Sequence, residues 1–395
     1  MAIASESKEI VENIDGLSPA KANIDGNSER IALFLPLLVG GGAERVMINL
    51  ARGLTEKGRK VDLVLGRKEG PLLELVPAEV RIINLGAERT LFSLPALVRY
   101  LRLEKPRTLL SALNHGNIIC LLSKYIAASS TRSIITLHNT LSEKIKISKP
   151  TIKQNFIILA MKILYPLAND IVAVSNGVAD DYTSIIKNIK NKIKIIYNPV
   201  IDINLYNKSY EKLDHPWFNT KKYKVIISVG RLTAEKDFST LISAFSIVTK
   251  NISAKLVIFG QGHLRFDLEK QVKDLGLHSE VSLPGFVSNP YKYMAKASVF
   301  VLSSKTEGLP TALIEALALG TPIISTNCRS GPSEILDNGK FGKLVPVGDV
   351  NALAQAIITA LRQEKPKVDR NAWQRFEFDW AVNAYLKIIE ANHGK

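Results

Sequence analysis

The strongest constraint on the fold is a rhythm that runs twice along the chain. Short runs rich in Val, Ile and Leu alternate with segments whose apolar residues recur at helical spacing. "RIALFLPLL" (30–38) comes first, followed by a glycine turn at Gly40–Gly42 and the helical pattern "AERVMINLARGLTEKG". Then come "KVDLVLG" (60–66), "RIINL" (81–85), "TLLSAL" (108–113), "RSIITLHN" (132–139), "DIVAVS" (170–175) and "IKIIYNPV" (193–200), with helices expected near 92–104, 116–128 and 150–167. A polar stretch, "DINLYNKSYEKLDHPWFNTKK", reads as an irregular connection. The rhythm restarts with "YKVIISVG" (223–230), "AKLVIFG" (254–260), "VSLPG" (281–285), "SVFVLSS" (298–304), "TPIIST" (321–326) and "GKLVPV" (342–347). Continuous apolar strands joined by crossover helices form parallel sheets covered on both faces. The expectation is an α/β chain of two doubly wound domains. Such sheets bind ligands beyond the carboxyl ends of their strands, and with two domains the expected site is the cleft between them.

Length agrees, since 395 residues exceed the usual size of one domain. The first 30 residues are polar and lack the apolar core of a secretory leader, so 1–30 is expected to be a flexible tail. No apolar run reaches the length needed to span a bilayer. The two cysteines, Cys120 and Cys328, give no metal-site spacing and fit a reducing compartment. Net charge is +15, and residues 31–200 hold 24 Lys and Arg against 12 Asp and Glu. A basic surface points to an anionic partner such as lipid headgroups, nucleic acid or a phosphorylated substrate.

The strand ends of the second half carry the chemistry. Arg231 leaves the first strand and Lys236 follows just before a helix. A planar guanidinium and a mobile ammonium together suit a diphosphate, although both also read as solvated surface charges. Gly260 and Gly262 open the next turn, where glycines let a ligand approach and leave amides for an anion; an ordinary tight turn is the plainer reading. Gly285, Phe286 and Val287 are positioned to present backbone groups to a planar base or simply to cap a strand. The fourth turn is "SSKTEGLPTALIEALALG". Glu307 falls in the loop, Gly308, Leu309, Pro310 and Thr311 open a helix with Pro310 suited to its first turn, and Glu315 lies eight positions beyond Glu307. Dipole complementarity accounts for Glu307 alone. It accounts poorly for Glu315, which sits in an apolar, buried helix and needs a partner.

A G-R-L-x-x-E-K-D turn followed by E-G-x-P-x-x-x-x-E resembles the retaining glycosyltransferases of family 4. Their GT-B architecture has two Rossmann-like domains facing across a cleft. The resemblance implies a tail (1–30), an acceptor-side domain (31–203), a nucleotide-sugar domain (204–375) and a last helix (376–395) returning to the first domain. It implies that Arg231 and Lys236 hold the donor diphosphate, that Glu307 binds hydroxyls of the transferred sugar, and that Glu315 binds the ribose. Amides of Gly308 to Thr311 join the phosphate site, and Gly285 to Val287 frame the base. "LVGGGAERV" resembles the family's glycine turn, which assigns Gly41 and Gly42 to donor phosphate or acceptor. "IITLHNT" matches its strand-end histidine, which assigns His138 to the donor sugar and phosphate; His115 and Asn117 are weaker acceptor-side candidates. One departure is "NCRSGPSEIL", where Gly331, Pro332 and Glu334 replace the family's Gly-Gly before Glu. This variant looks like the branch that builds bacterial surface glycans, often from UDP-sugars.

No D-x-D triplet occurs, so no metal and no cofactor is expected. The segment 142–166 mixes five lysines with an apolar helix, which reads as a contact with an anionic membrane or as an ordinary crossover helix. No nucleic-acid module is recognisable. The combined expectation is a hexosyltransferase that moves a hexose or N-acetylhexosamine from a nucleotide sugar to a glycan or lipid-linked acceptor. Its expected location is cytoplasmic, at the inner face of the membrane. The rivals are a sugar-nucleotide epimerase or hydrolase of the same fold, and a non-catalytic basic membrane-binding protein.

Overall fold

A computed structural model describes residues 11–14, 28–143, 151–220, 222–365 and 369–391. The chain divides into two compact units, Met1–Pro199 with Phe378–Lys395, and Val200–Glu377.

The first unit runs β1 (Val11–Asn13), β2 (Ser28–Leu35), α1 (Gly42–Glu56), β3 (Val61–Leu65), β4 (Arg81–Asn84), α2 (Ser93–Glu104), β5 (Pro106–Ser111), α3 (Asn114–Ala127), β6 (Arg132–Leu137), α4 (Ile152–Leu164), β7 (Asp170–Ala173), α5 (Asn176–Ile185) and β8 (Ile193–Ile195). Its sheet order is β1-β4-β3-β2-β5-β6-β7-β8, and every pairing is parallel. Alternate side chains of β2 explain why it is apolar throughout. Ile31, Leu33 and Leu35 join a cluster with Met47, Leu50 and Leu54 of α1. Ala32 and Phe34 join Leu97 and Leu101 of α2 on the opposite face. Each fully buried Leu, Ile or Phe contributes roughly 1.5–3 kcal/mol.

The last helix, Phe378–Glu390, belongs to this unit. Its Ala381, Tyr385, Ile388 and Ile389 complete the α1-side core. Gly53 of α1 makes the close packing feasible, because a Cβ there would lie 2.3 Å from Val382 Cγ2.

The expectation of a tail over 1–30 is corrected at two places. Val11–Asn13 pairs in parallel with β4, and β2 begins already at Ser28. A buried ionic cluster explains the attachment. Arg81 bonds Asp62 at 2.6 Å, Glu104 at 2.7 Å and Glu12 of β1 at 3.2 Å, while Tyr100 donates to Asp62 at 2.7 Å. Burial by itself lowers the Arg81 pKa, but the hydrogen bonds Arg81 donates to Asp62 and Glu104, and the charges of those carboxylates, outweigh it, so the guanidinium stays protonated.

The second unit runs α6 (Ile203–Ser209), β9 (Lys224–Val229), α7 (Phe238–Val248), β10 (Ala254–Phe259), α8 (Arg265–Asp274), β11 (Val281–Gly285), α9 (Tyr291–Lys296), β12 (Val299–Leu302), α10 (Thr311–Ala318), β13 (Ile323–Thr326), α11 (Pro332–Ile335), β14 (Lys343–Val345) and α12 (Val350–Arg362). The polar stretch expected to be irregular therefore contains a helix, α6. Asp202 caps it by accepting from Leu205 N at 3.1 Å, and Leu205 is buried.

The sheet order β11-β10-β9-β12-β13-β14 steps outward from β9 to one edge and then restarts beside it at β12. Connections on the two sides leave in opposite directions, so a crevice opens beyond the carboxyl ends of β9 and β12. The first unit reverses in the same way between β2 and β5.

Candidate functional site

The reversal in the second unit brings two of the sequence motifs together. The loop after β9 carries Arg231 and Lys236, and the loop after β12 carries Glu307. Lys236 Nζ lies 2.5 Å from Glu307 Oε1, with both side chains mostly buried. Ser304 Oγ donates to the same oxygen at 2.6 Å. Glu307 Oε2 has no hydrogen-bond partner among the described residues. One oxygen is thus anchored twice and the other is left to accept from a ligand. Arg231 is exposed, with no side-chain ion pair among the described residues.

The Glu307 loop is braced from β13 and the turn beyond it. Thr326 Oγ1 donates to Ser304 O at 2.6 Å, and Ser330 Oγ donates to Gly308 O at 2.8 Å. Ser303 Oγ donates to Lys236 O at 2.8 Å, which ties the two loops. Cys328 is buried beside them; burial and then the charge of Glu307 push its thiol pKa up to about 12. Ser304, Thr326 and Ser330 escaped the sequence reading. The only available signal was the hydroxyl pair Ser303–Ser304 immediately before the Glu307 loop.

Beyond Glu307 the helix begins at Thr311, with Pro310 at the N-cap position rather than in the first turn. Pro310 has no N–H, so the expected set of four amide donors is corrected. Thr311 and Ala312 present N–H groups that find no backbone acceptor among the described residues. Glu315, 8 % exposed, lies on the second turn, where Tyr291 OH donates to it at 3.4 Å.

The glycines of the β10 turn serve the protein's own backbone. A Cβ on Gly260 would lie 1.8 Å from Gly230 O, and one on Gly262 would lie 2.2 Å from Leu232 O. Gly260 N donates to Gly285 O at 2.9 Å, so that amide is not available to an anion, contrary to the expectation. The glycines let the β10 turn press against the Arg231 loop. At the end of β11, Gly285 is buried and Phe286 is 62 % exposed.

In the first unit, Gly41 is the N-cap of α1, and a Cβ on Gly42 would meet open space. His138 follows β6 and is partly exposed. Thr136 Oγ1 donates to Ser111 O at 2.9 Å and lies 2.9 Å from His138 Nε2. If the hydroxyl proton goes to the Ser111 carbonyl, the Nε2-protonated imidazole donates to Thr136 Oγ1 and leaves Nδ1 as an acceptor. Burial pushes the His138 pKa down to about 4, so the ring is neutral at physiological pH. Asn117 is not an exposed acceptor contact. It is buried, accepting from Ser111 Oγ at 2.8 Å and donating to Thr136 O at 2.9 Å. It supports the strand ends on which His138 stands.

Residues 144–150, with Lys144, Lys146 and Lys149, lie outside the described residues; α4 follows them. Among the described residues no helix is long and apolar enough to cross a membrane, and no group of three His, Cys, Asp or Glu is placed to hold a metal.

Two sheets of this topology define a GT-B fold, and known proteins agree. The solved structure of Anabaena Alr3699/HepE in complex with UDP and glucose matches with a TM-score of 0.75 at 19% identity, over 92% of this chain and 99% of that one. The family profile for group 1 glycosyl transferases matches residues 210–375, and that for Glycosyltransferase Family 4 matches residues 40–202. The N-acetylgalactosamine-N,N'-diacetylbacillosaminyl-diphospho-undecaprenol 4-alpha-N-acetylgalactosaminyltransferase of Campylobacter jejuni is 31% identical over 85% of this chain and 91% of its own length. The lipopolysaccharide core biosynthesis glycosyltransferase LpsE of Rhizobium meliloti is 28% identical over 88% of this chain and 96% of its own. The chain belongs to glycosyltransferase family 4, and it is a glycosyltransferase.

Proposed function

We propose that the chain is a retaining transferase that moves a hexose or N-acetylhexosamine from a UDP-sugar to a lipid-linked glycan acceptor at the inner face of the cytoplasmic membrane. The observation that carries this is the anchored Glu307 carboxylate, with Oε2 left open, between the Lys236 ammonium and the start of α10. The relatives support the acceptor class. One acts on an undecaprenol-diphosphate-linked sugar, and another in lipopolysaccharide core synthesis. The HepE complex supports UDP as the leaving group.

In this reading Lys236 and Arg231 stabilise the departing diphosphate, with N–H groups at the start of α10 assisting. This is fixed positive charge aimed at negative charge that grows in the transition state. Glu307 Oε2 accepts from a donor hydroxyl and offsets the oxocarbenium-like charge on the sugar. Glu315 accepts from the ribose hydroxyls, and the residues after β11 frame the base. The family resemblance assigns the neutral His138 imidazole to the donor sugar and phosphate. No side chain beside the anomeric carbon is assigned as a nucleophile, so the incoming hydroxyl attacks the face the diphosphate leaves, and a phosphate oxygen takes its proton. The cationic side chains do the work a metal does elsewhere, so chelation with EDTA leaves the rate unchanged.

A thermal-shift screen across UDP-, GDP- and ADP-sugars, followed by NMR of the product, tests this. The expected result is stabilisation by UDP-sugars and an α-linkage formed from an α-linked donor. A β-linked product overturns retention, and preference for GDP or ADP overturns the donor assignment.

A further inference from the structure

Helix α4 is apolar, yet of its 13 residues only Met161 is buried. Ile152 is 78 %, Phe156 67 %, Leu159 53 % and Ile163 60 % exposed. At about 100° per residue these four fall within an arc of about 60°, so they form a single stripe. Lys153 and Lys162, both exposed, lie about a quarter turn to either side of it. The helix is firmly started by a Thr151–Gln154 capping box. It is a complete element with an uncovered face.

We propose that this stripe is the membrane-docking face of the enzyme, and that α4 lies in the headgroup region of an anionic bilayer. The pattern is that of an interfacial helix, with an apolar centre for the acyl boundary and a lysine on each flank to reach anionic headgroups. Residues 31–200 carry twice as many Lys and Arg as Asp and Glu, which favours an anionic surface over a cationic one. The helix follows β6, so its N-terminal end lies on the side where the strands end, and His138 stands at that same end. Docking through α4 holds the strand-end face beside the lipid that carries the acceptor. This deepens the lipid-linked acceptor reading and rests on it.

The test is sedimentation of the full chain with vesicles of phosphatidylcholine alone or mixed with phosphatidylglycerol. Transfer to a short-chain, water-soluble acceptor analogue is assayed in parallel. The wild type binds the mixed vesicles. F156E/L159E loses at least about tenfold in partitioning. K153E/K162E loses the preference for anionic lipid. Both variants keep the wild-type rate on the soluble analogue, which separates docking from the transferase reading. Binding by F156E/L159E equal to that of wild type overturns the proposal. So does a wild type that self-associates through this face, shown by an F156E/L159E variant that elutes as a smaller species.

Discussion

Lys236 and Glu307, 71 residues apart in the chain, meet at 2.5 Å across the point where the second sheet reverses direction. Neither loop makes the site by itself. Lys236 is brought there by the short turn between β9 and α7, and Glu307 by a loop tied down through Ser304, Thr326 and Ser330. Because Lys236 donates to Glu307 Oε1, the two act as a unit. Lys236→Ala is expected to lower kcat by about 10²–10³. Adding Glu307→Gln to it should cost much less than the sum of the two single changes. Steady-state rates of the two singles and the double check this, and strict additivity refutes the coupling.

Glycines separate fold from ligand. Gly260→Ala drives a methyl into Gly230 O and is expected to destabilise by more than about 2 kcal/mol. Gly42→Ala meets nothing and should leave the urea midpoint within error. If Gly42 approaches a ligand closely, that variant raises KM at unchanged stability.

His138 sets a pH dependence. Its pKa, pushed down to about 4 by burial, lies below the roughly 6.5 of the unfolded chain. The unfolded state therefore binds the extra proton first. The stabilisation is fully present above about pH 6.5 and is lost as pH falls toward 4. Urea titrations at pH 7.5 and 4.5 should show the wild type losing about 2 kcal/mol more than His138→Gln. Thr136→Val removes the hydroxyl that holds His138 Nε2. It is expected to raise KM for the donor while leaving the diphosphate contacts intact.

Both cysteines should be inert. Cys120 and Cys328 are buried with thiol pKa values pushed up to about 12, so the thiolate fraction at pH 8 is about 10⁻⁴. A thiol reagent should label neither in the native enzyme and both after denaturation.

Much of this was legible in the sequence. The apolar runs marked the sheet strands from β2 onward, because strands buried on both faces must be apolar throughout. Lys236 and Glu307 stand out because charges next to buried strand ends need a reason, and the structure brings these two together. Three features were not legible. Val11–Asn13 is held by an ion pair to Arg81, a partner 69 positions from Glu12. A glycine looks the same whether ligand or backbone comes close, so the role of Gly260 needed coordinates. The tautomer of His138 depends on where Thr136 sends its single proton, which depends on the register of β5 and β6.

Calorimetric titration of UDP and of the intact UDP-sugar into wild type, Lys236→Ala and Glu307→Gln tests the central claim most directly. The account predicts that Lys236→Ala weakens UDP at least tenfold, by about 1.4 kcal/mol. Glu307→Gln should bind UDP as wild type does yet lose affinity for the intact donor and transfer sugar at a rate lowered by about 10²–10³. Unchanged UDP affinity in Lys236→Ala, or normal transfer by Glu307→Gln, would contradict it.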